Sequence, residues 1–428
     1  MDTQIATGVA DMLQTYAGCH GPCAQHVQML CACYDRGIVQ KIGSIPLQMQ
    51  TSSSSDPLHV VEMGTQFGMG GITRHILGLS EWLQTHDHRV TLAGTADIWA
   101  GPDQQPDFLD LPTRYVAGDG GNIANRLRHT AVAAWRLRRW LANHPVDLIH
   151  CHESAPALVA NLARTGRRIP VAVTYHGSEP ERIAAFGGIA AKCDLVITPS
   201  HRSAEDLATI GKVPQDKLKV IGLGVTPPPQ DSAEDIANLR AELLGDGDRV
   251  IVTLARLLPQ KGIDILIDCV ARMKETHPGY RFIVAGDGPD EAQLHALAQE
   301  KGLGKHLRFV GRTDKPIRHL RAADLFLLTS RWEALPFTIA EAFQAGTPAV
   351  ATACSGVVEL IDDIVGAVVP IGDIDAICAA VVEILSDEDR RRTLAENALK
   401  RSREDRFDPD WVHQQFEKTY YDLAGRQK

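Results

Sequence analysis

Arg331-Trp332-Glu333-Ala334-Leu335-Pro336-Phe337-Thr338-Ile339-Ala340-Glu341-Ala342-Phe343-Gln344-Ala345-Gly346-Thr347-Pro348 follows closely on the apolar run Leu325 to Leu328. Proline is tolerated at a helix start, where its missing N–H would have no partner anyway, and glycine followed by Thr-Pro is a stop signal. The stretch therefore predicts a short helix from about Phe337 to Ala345, with Glu333 on the loop before it and Glu341 inside it. Unpaired backbone N–H groups at such a start, here those of Phe337, Thr338 and Ile339, can hold a phosphate or another polar group. A carboxylate only accepts, so it suits the vicinal hydroxyls of a sugar or ribose. Taken alone, the two glutamates fit a solvated helix start equally well.

Upstream, Ala255-Arg256-Leu257-Leu258-Pro259-Gln260-Lys261-Gly262 follows the apolar run Val250 to Leu254 and offers two fixed cations beside a second helix start. Guanidinium and ammonium groups so placed can neutralise a diphosphate. A strand ending in arginine, a lysine-glycine five residues later and then two glutamates separated by seven residues resemble the C-terminal half of the retaining glycosyltransferases of family 4. That family has the GT-B fold. The resemblance implies that Arg256 and Lys261 meet the departing diphosphate, that Glu341 holds the ribose and that Glu333 holds the donor sugar.

The resemblance extends over roughly residues 57 to 425. After the strand Leu58 to Met63 comes Gly64-Thr65-Gln66-Phe67-Gly68-Met69-Gly70-Gly71, followed by Ile72, Ile76, Leu79 and Leu83 at helical spacing. The segment looks like the family's N-terminal glycine loop, in which the backbone of Gly70 and Gly71 approaches the diphosphate; a tight strand-to-helix turn explains the glycines equally well. Val146 to Glu153 and Val171 to Glu179 each read as a buried strand delivering polar groups at its carboxyl end, where ligands of open α/β sheets collect. The family places a histidine where His176 stands, beside the transferred sugar, and a polar pair where His152 and Glu153 stand. His150 reads as structural. By the same resemblance Gly311 and Arg312 lie near the nucleotide base, and Gly286 to Gly288 form a ligand-side turn; both segments also fit simple loop requirements.

Strands alternate with helices along the chain, which implies parallel sheets. The expected architecture is α/β GT-B, two Rossmann-like domains facing a central cleft. Residues 1–55, ending in Thr51-Ser52-Ser53-Ser54-Ser55, read as an appendage of unknown role. Residues 56–225 form the first, acceptor-side domain, and residues 226–407, entered through Thr226-Pro227-Pro228-Pro229-Gln230, form the nucleotide-sugar-binding domain. The final helix, within 408–428, is expected to cross back onto the first domain. A formal net charge of −9 disfavours nucleic acid as the main partner.

No apolar run has the length of a membrane span, and Met1-Asp2-Thr3-Gln4-Ile5 lacks the features of a secretory signal. Nine cysteines, an odd number, read as reduced thiols, so a cytoplasmic enzyme is expected. Cys19, His20, Cys23, His26, Cys31 and Cys33 could bind zinc, although paired C-x2-C spacing is missing and a buried helix face would also account for Cys19, Cys23 and His26. The Asp-x-Asp triplets at Asp246, Asp373, Asp387 and Asp408 read as turns and helix caps. No metal is expected at the catalytic centre, because Arg256 and Lys261 can carry the charge of the leaving group.

The sequence thus reads as a retaining transferase moving a hexose-type sugar from a nucleotide diphosphate sugar to a sugar or lipid-linked acceptor. An epimerase or a non-catalytic sensor could use the same scaffold. Two departures from the family bear on donor and acceptor: Ala334-Leu335-Pro336 stands where Gly-Phe-Gly is common, and the segment between His176 and Asp194 is short. From Asn122 to Asn143 the helical spacing assigns Leu127, Thr130, Ala134, Leu137 and Leu141 to the core. Arg128, Trp135, Arg136 and Arg139 then face outward, as a salt-bridged surface or as a patch for an anionic membrane.

Overall fold

The computed structural model describes residues 56–426 apart from Met69, Pro106, Gly120, Leu223 and 227–230. The cysteine and histidine cluster between Cys19 and Cys33 lies outside the described residues. The described chain forms two Rossmann-like domains, each built on a wholly parallel sheet.

The first sheet comprises β1 (His59–Gln66), β2 (Arg89–Thr95), β3 (Leu109–Asp110), β4 (Leu148–His152), β5 (Val171–Thr174), β6 (Leu195–Thr198) and β7 (Leu218–Val220), in the order β3-β2-β1-β4-β5-β6-β7. The second comprises β8 (Arg249–Leu254), β9 (Tyr280–Ala285), β10 (Leu307–Gly311), β11 (Leu325–Leu328), β12 (Ala349–Thr352) and β13 (Gly366–Val369), in the order β10-β9-β8-β11-β12-β13. In both, the order reverses beside the first strand, which opens a crevice at the carboxyl ends. The central strands are rich in Val, Ile and Leu because helices cover both faces.

Alternation along the strands decides what each face buries. Val61 and Met63 of β1 point into one core with Ile149 and Cys151 of β4. Leu58 and Val60 point the other way with Leu148, into a core completed by Phe416, Tyr420 and Tyr421. Those aromatic residues belong to the last helix, Pro409–Ala424, which packs on the helix Gly71–Thr85 of the first domain. Trp82 Nε1 donates to Asp410 Oδ1 at 3.1 Å, and His88 Nε2 lies 3.1 Å from Glu417 Oε1. Removing a buried aromatic ring of this kind costs about 3–5 kcal/mol, so the returning helix is a structural part of the first domain.

Two sequence expectations need correction. β1 runs past Met63 to Gln66, with a register shift between them, so Gly64-Thr65-Gln66 belongs to the strand rather than to the glycine loop. The helix Ile123–Trp140, capped by Asn122 accepting from the Asn125 N–H at 3.0 Å, buries Ala133 and Leu137, and Leu141 is buried just after it. Leu127, assigned to the core by its spacing, is 66% exposed. Residues 123–128 are all exposed, so the apolar positions of the first turns meet no core.

Candidate active site

The carboxyl ends of both sheets face each other, and the residues singled out in the sequence line the two sides. In the second domain the short helix is observed over Phe337–Ala345, with Pro336 before it and Gly346 at φ 70° after it. Ile339 N–H is already used, donating to Pro336 O at 3.2 Å, so it is not an open donor as the sequence suggested. Glu341 lies inside this helix and is buried. Its Oε1 accepts from Arg74 Nη1 at 3.0 Å. Burial pushes the Glu341 carboxyl above its ordinary value, and the cation of Arg74 opposes that rise.

Arg74 lies one turn into the helix that follows the glycine loop, and sequence reasoning missed it. The available signal was its position, the first cation after Gly70 and Gly71. Gly71 itself stands against the Phe337 ring: a Cβ on it would lie 3.3 Å from that ring. The glycine loop of the first domain and the helix start of the second are therefore neighbours across the cleft.

Glu333, on the loop before that helix, is also buried. Its Oε1 accepts from Lys261 Nζ at 2.5 Å and from Ser330 Oγ at 2.7 Å. The loop is braced by Arg331, whose guanidinium grips Asp264 with two hydrogen bonds of 2.9 and 2.6 Å. Lys261 is thus engaged by Glu333, whereas Arg256 is exposed at the end of β8 and has no partner among the described residues. The two cations read from the sequence as equivalent are unequal: one is neutralised by a buried carboxylate and one is open to an anion. Gly311, at the end of β10 with φ 70°, accepts from Gly286 N–H at 2.8 Å, and the adjacent Arg312 is exposed.

His176 follows β5 on the first domain's side and is half-buried. Its neighbour Gly177 has φ 95°, and a Cβ there would lie 2.9 Å from Ala334 N, next to Glu333. Only glycine allows that approach, and it brings the histidine loop against the Glu333 loop. His176 Nε2 lies 3.0 Å from His152 Nδ1. The His75 ring packs edge-on against both His152 and His176. Burial and the neighbouring histidines hold the His176 imidazole well below its ordinary value, so it is neutral.

Glu153 follows His152 with φ 78° and ψ 172°, a region that side chains other than glycine rarely occupy. Burial pushes its carboxyl up against a hydrogen bond from Thr65 on β1. Periodicity reveals no such backbone strain, so the sequence named Glu153 only as the partner of His152.

Among the described residues, Glu62, His150 and His152 have ligand atoms close enough together to hold a metal ion. The two imidazole nitrogens instead lie 3.0 and 2.9 Å from the same oxygen, Glu62 Oε2, as hydrogen-bonded partners.

Two Rossmann-like domains with facing strand ends, and with cations, carboxylates and a histidine lining the cleft, define a GT-B protein. Residues 69–227 match the family described as Glycosyltransferase Family 4, and residues 235–401 match Glycosyl transferases group 1. The chain belongs to glycosyltransferase family 4 and is a glycosyltransferase. The phosphatidyl-myo-inositol mannosyltransferase of Mycolicibacterium smegmatis is 26% identical over 371 residues, covering 83% of this chain and 91% of that one. Among solved structures, Anabaena HepE in complex with UDP-glucose superposes with a TM-score of 0.72 at 22% identity, covering 85% of this chain and 100% of that one. Sucrose-phosphate synthase from Thermosynechococcus elongatus gives 0.73 at 21% identity, covering 86% and 99%.

Proposed function

We propose that the enzyme retains configuration while moving a hexose-type sugar from a nucleoside diphosphate donor to an acceptor hydroxyl, in the assembly of a glycolipid or surface polysaccharide. The observation that carries this reading is the unpartnered Arg256, set in the same cleft as two buried carboxylates and the Gly70–Gly71 loop. Arg256 receives the diphosphate with the backbone of the glycine loop, and Glu341 takes the ribose hydroxyls. Glu333, held by Lys261, takes hydroxyls of the donor sugar, while His176 stands beside the sugar or the acceptor. Gly311 and Arg312 flank the base. The named relatives support a hexose donor: one is a mannosyltransferase and another was solved with UDP-glucose.

No metal is needed in this scheme, since Arg256 and the N–H groups of the glycine loop can stabilise the leaving group. The test is a screen of UDP-, GDP- and ADP-sugars for slow donor hydrolysis, repeated in excess chelator. Hydrolysis of one donor class, undiminished by chelator, is the expected result. No turnover of any donor would overturn the transfer reading, and loss restored by a divalent ion would overturn its metal-free form.

A lipid-linked acceptor places the enzyme at a membrane surface. Among the described residues no helix is long and apolar enough to cross one. The helix Ile123–Trp140 supplies a different means of contact: Ile123, Leu127 and Trp135 are exposed, alongside the exposed cations Arg128, Arg136 and Arg139. The Arg139 guanidinium lies 5.6 Å from the centroid of the Trp135 ring. Exposed apolar side chains interleaved with arginines suit the interface of an anionic bilayer, where each cation contributes about 1 kcal/mol. Replacing Arg128, Arg136 and Arg139 by glutamate is expected to abolish salt-sensitive sedimentation with anionic vesicles. Equal binding by both proteins, or no preference for anionic over neutral vesicles, would remove the membrane from the scheme.

A further inference from the structure

A hydrogen-bonded chain runs from the returning C-terminal helix through the first sheet to His176. Its position follows from strand register. Glu62 of β1 pairs with His150 of β4, and His152 of β4 pairs with Thr174 of β5. By alternation Glu62, His150 and His152 all point to the face covered by the helix Pro409–Ala424, and none of the three is exposed. A carboxylate and two imidazoles in so dry a layer persist only when every lone pair and proton is matched.

The matching fixes the limb that leads to His176. Tyr420 OH, from the returning helix, donates to Glu62 Oε1 at 2.8 Å. His150 Nδ1 and His152 Nε2 lie 3.0 and 2.9 Å from Glu62 Oε2. His150 Nδ1 has a nearer partner in Tyr420 OH, at 2.6 Å. An ionised carboxylate has no proton to give, so His152 must donate to it through Nε2. His150 Nε2 lies 2.7 Å from Thr174 Oγ1, so the ring is held between two hydroxyls. His152, neutral with its proton on Nε2, has a lone pair on Nδ1. That lone pair lies 3.0 Å from His176 Nε2, which must therefore carry the proton of the bond. The remaining nitrogen of His176, Nδ1, is a bare acceptor with no partner among the described residues.

The titration behaviour agrees. Burial alone would push the Glu62 carboxyl up, yet His150 and His152 beside it hold it well below the usual carboxylate range. Burial and the neighbouring His150 bring His152 down to about 3, against the pull of Glu62. A charged carboxylate beside a neutral His152 is the state that the bond to His176 requires.

We infer that Glu62, His152 and Tyr420 are positioning residues that fix His176 in the tautomer with its proton on Nε2, so that Nδ1 accepts a hydrogen bond from a hydroxyl of the bound sugar or acceptor. The inference rests on the placement of His176 beside the sugar, and it deepens that placement. The ring recognises a hydroxyl donor, and it does not present a proton to a phosphate oxygen. It also makes the returning helix part of the active site's support, since Tyr420 OH donates to Glu62 beside His152. Partners of this kind, which touch no substrate, orient the group that does.

The test is a long-range proton–nitrogen correlation spectrum of the full chain labelled at histidine, with His176→Asn to identify the signal. At neutral pH the expected result is a protonated Nε2 and a bare Nδ1 on His176. A proton on Nδ1, or a doubly protonated ring, overturns the inference in the wild-type protein alone, whatever any variant does. His152→Phe keeps a planar ring but removes the acceptor, so His176 is expected to populate both tautomers. Its kcat for transfer should fall about a hundredfold, the scale of a misplaced reacting group, with donor KM little changed. An unaltered His176 tautomer in folded His152→Phe would also overturn the relay. The underlying placement fails separately: if His176→Asn transfers sugar at the wild-type rate, His176 does not stand at the reacting centre, while the tautomer measurement keeps its own answer.

Discussion

Arg256→Ala is expected to lower sugar transfer by about a hundredfold or more with saturating donor, and to leave the thermal transition unchanged. The activity loss is the scale of removing one preorganised charge from a developing anion. The absence of a stability effect follows from the surroundings of Arg256, whose side chain is exposed and bonds to no other described residue. Lys261→Ala should behave differently. Lys261 Nζ lies 2.5 Å from Glu333 Oε1, and the side chains are 19% and 8% exposed, so the mutation strands a carboxylate that is almost wholly out of water. Breaking such a pair costs about 3 kcal/mol, the lower end of the range because Lys261 keeps some access to solvent. Kinetics and thermal unfolding of the two single mutants, and of Lys261→Ala with Glu333→Gln, separate the effects. The double mutant should regain stability, since a neutral amide replaces the stranded charge, without regaining activity. Wild-type turnover by Arg256→Ala would sink the diphosphate assignment.

The contrast between Arg256 and Lys261 marks where sequence reasoning stops. Strand runs, the proline-started helix Phe337–Ala345 and the order of the motifs are written in local patterns, so the alternating α/β architecture was legible before any coordinates. Pairings between residues distant along the chain were not. Lys261 and Glu333 are far apart in sequence, as are Arg74 and Glu341, and no period or spacing links them. The same holds for Glu62, which stands inside an apolar strand as an isolated acid and gives no sign of its partners until β1 and β4 are set in register. His150 reads as structural in the sequence, and its fully buried bonds to Tyr420 and Thr174 fit that description. What the sequence could not convey is that His150 and His152 share one carboxylate oxygen, and that this oxygen leads to His176. The misassigned Leu127 is the complementary failure: its helical spacing matches the core positions, but the side chain stands exposed.

Glu341→Gln is expected to weaken binding of the free nucleoside diphosphate by about tenfold, the difference between a charge-assisted and a neutral acceptor for the ribose hydroxyls. The pH dependence gives a sharper test, because burial has already pushed the Glu341 carboxyl above its ordinary value. Only the ionised form is a full acceptor, so affinity should be complete at pH values above that raised pKa and should fall as the pH drops through it. The loss therefore begins at a higher pH than an ordinary surface glutamate would give. In Glu341→Gln the profile should lose this step. Arg74, 3.0 Å from Glu341 Oε1, acts in the opposite direction to burial, since its cation favours the charged carboxylate. Arg74→Met should therefore raise the Glu341 pKa further and move the fall in affinity to still higher pH. Calorimetry with UDP or GDP across the acid range reads all three profiles. If the wild-type and Glu341→Gln curves coincide, Glu341 does not grip the ribose. If the Arg74→Met curve shifts toward lower pH, the ion pair across the cleft does not tune that carboxylate.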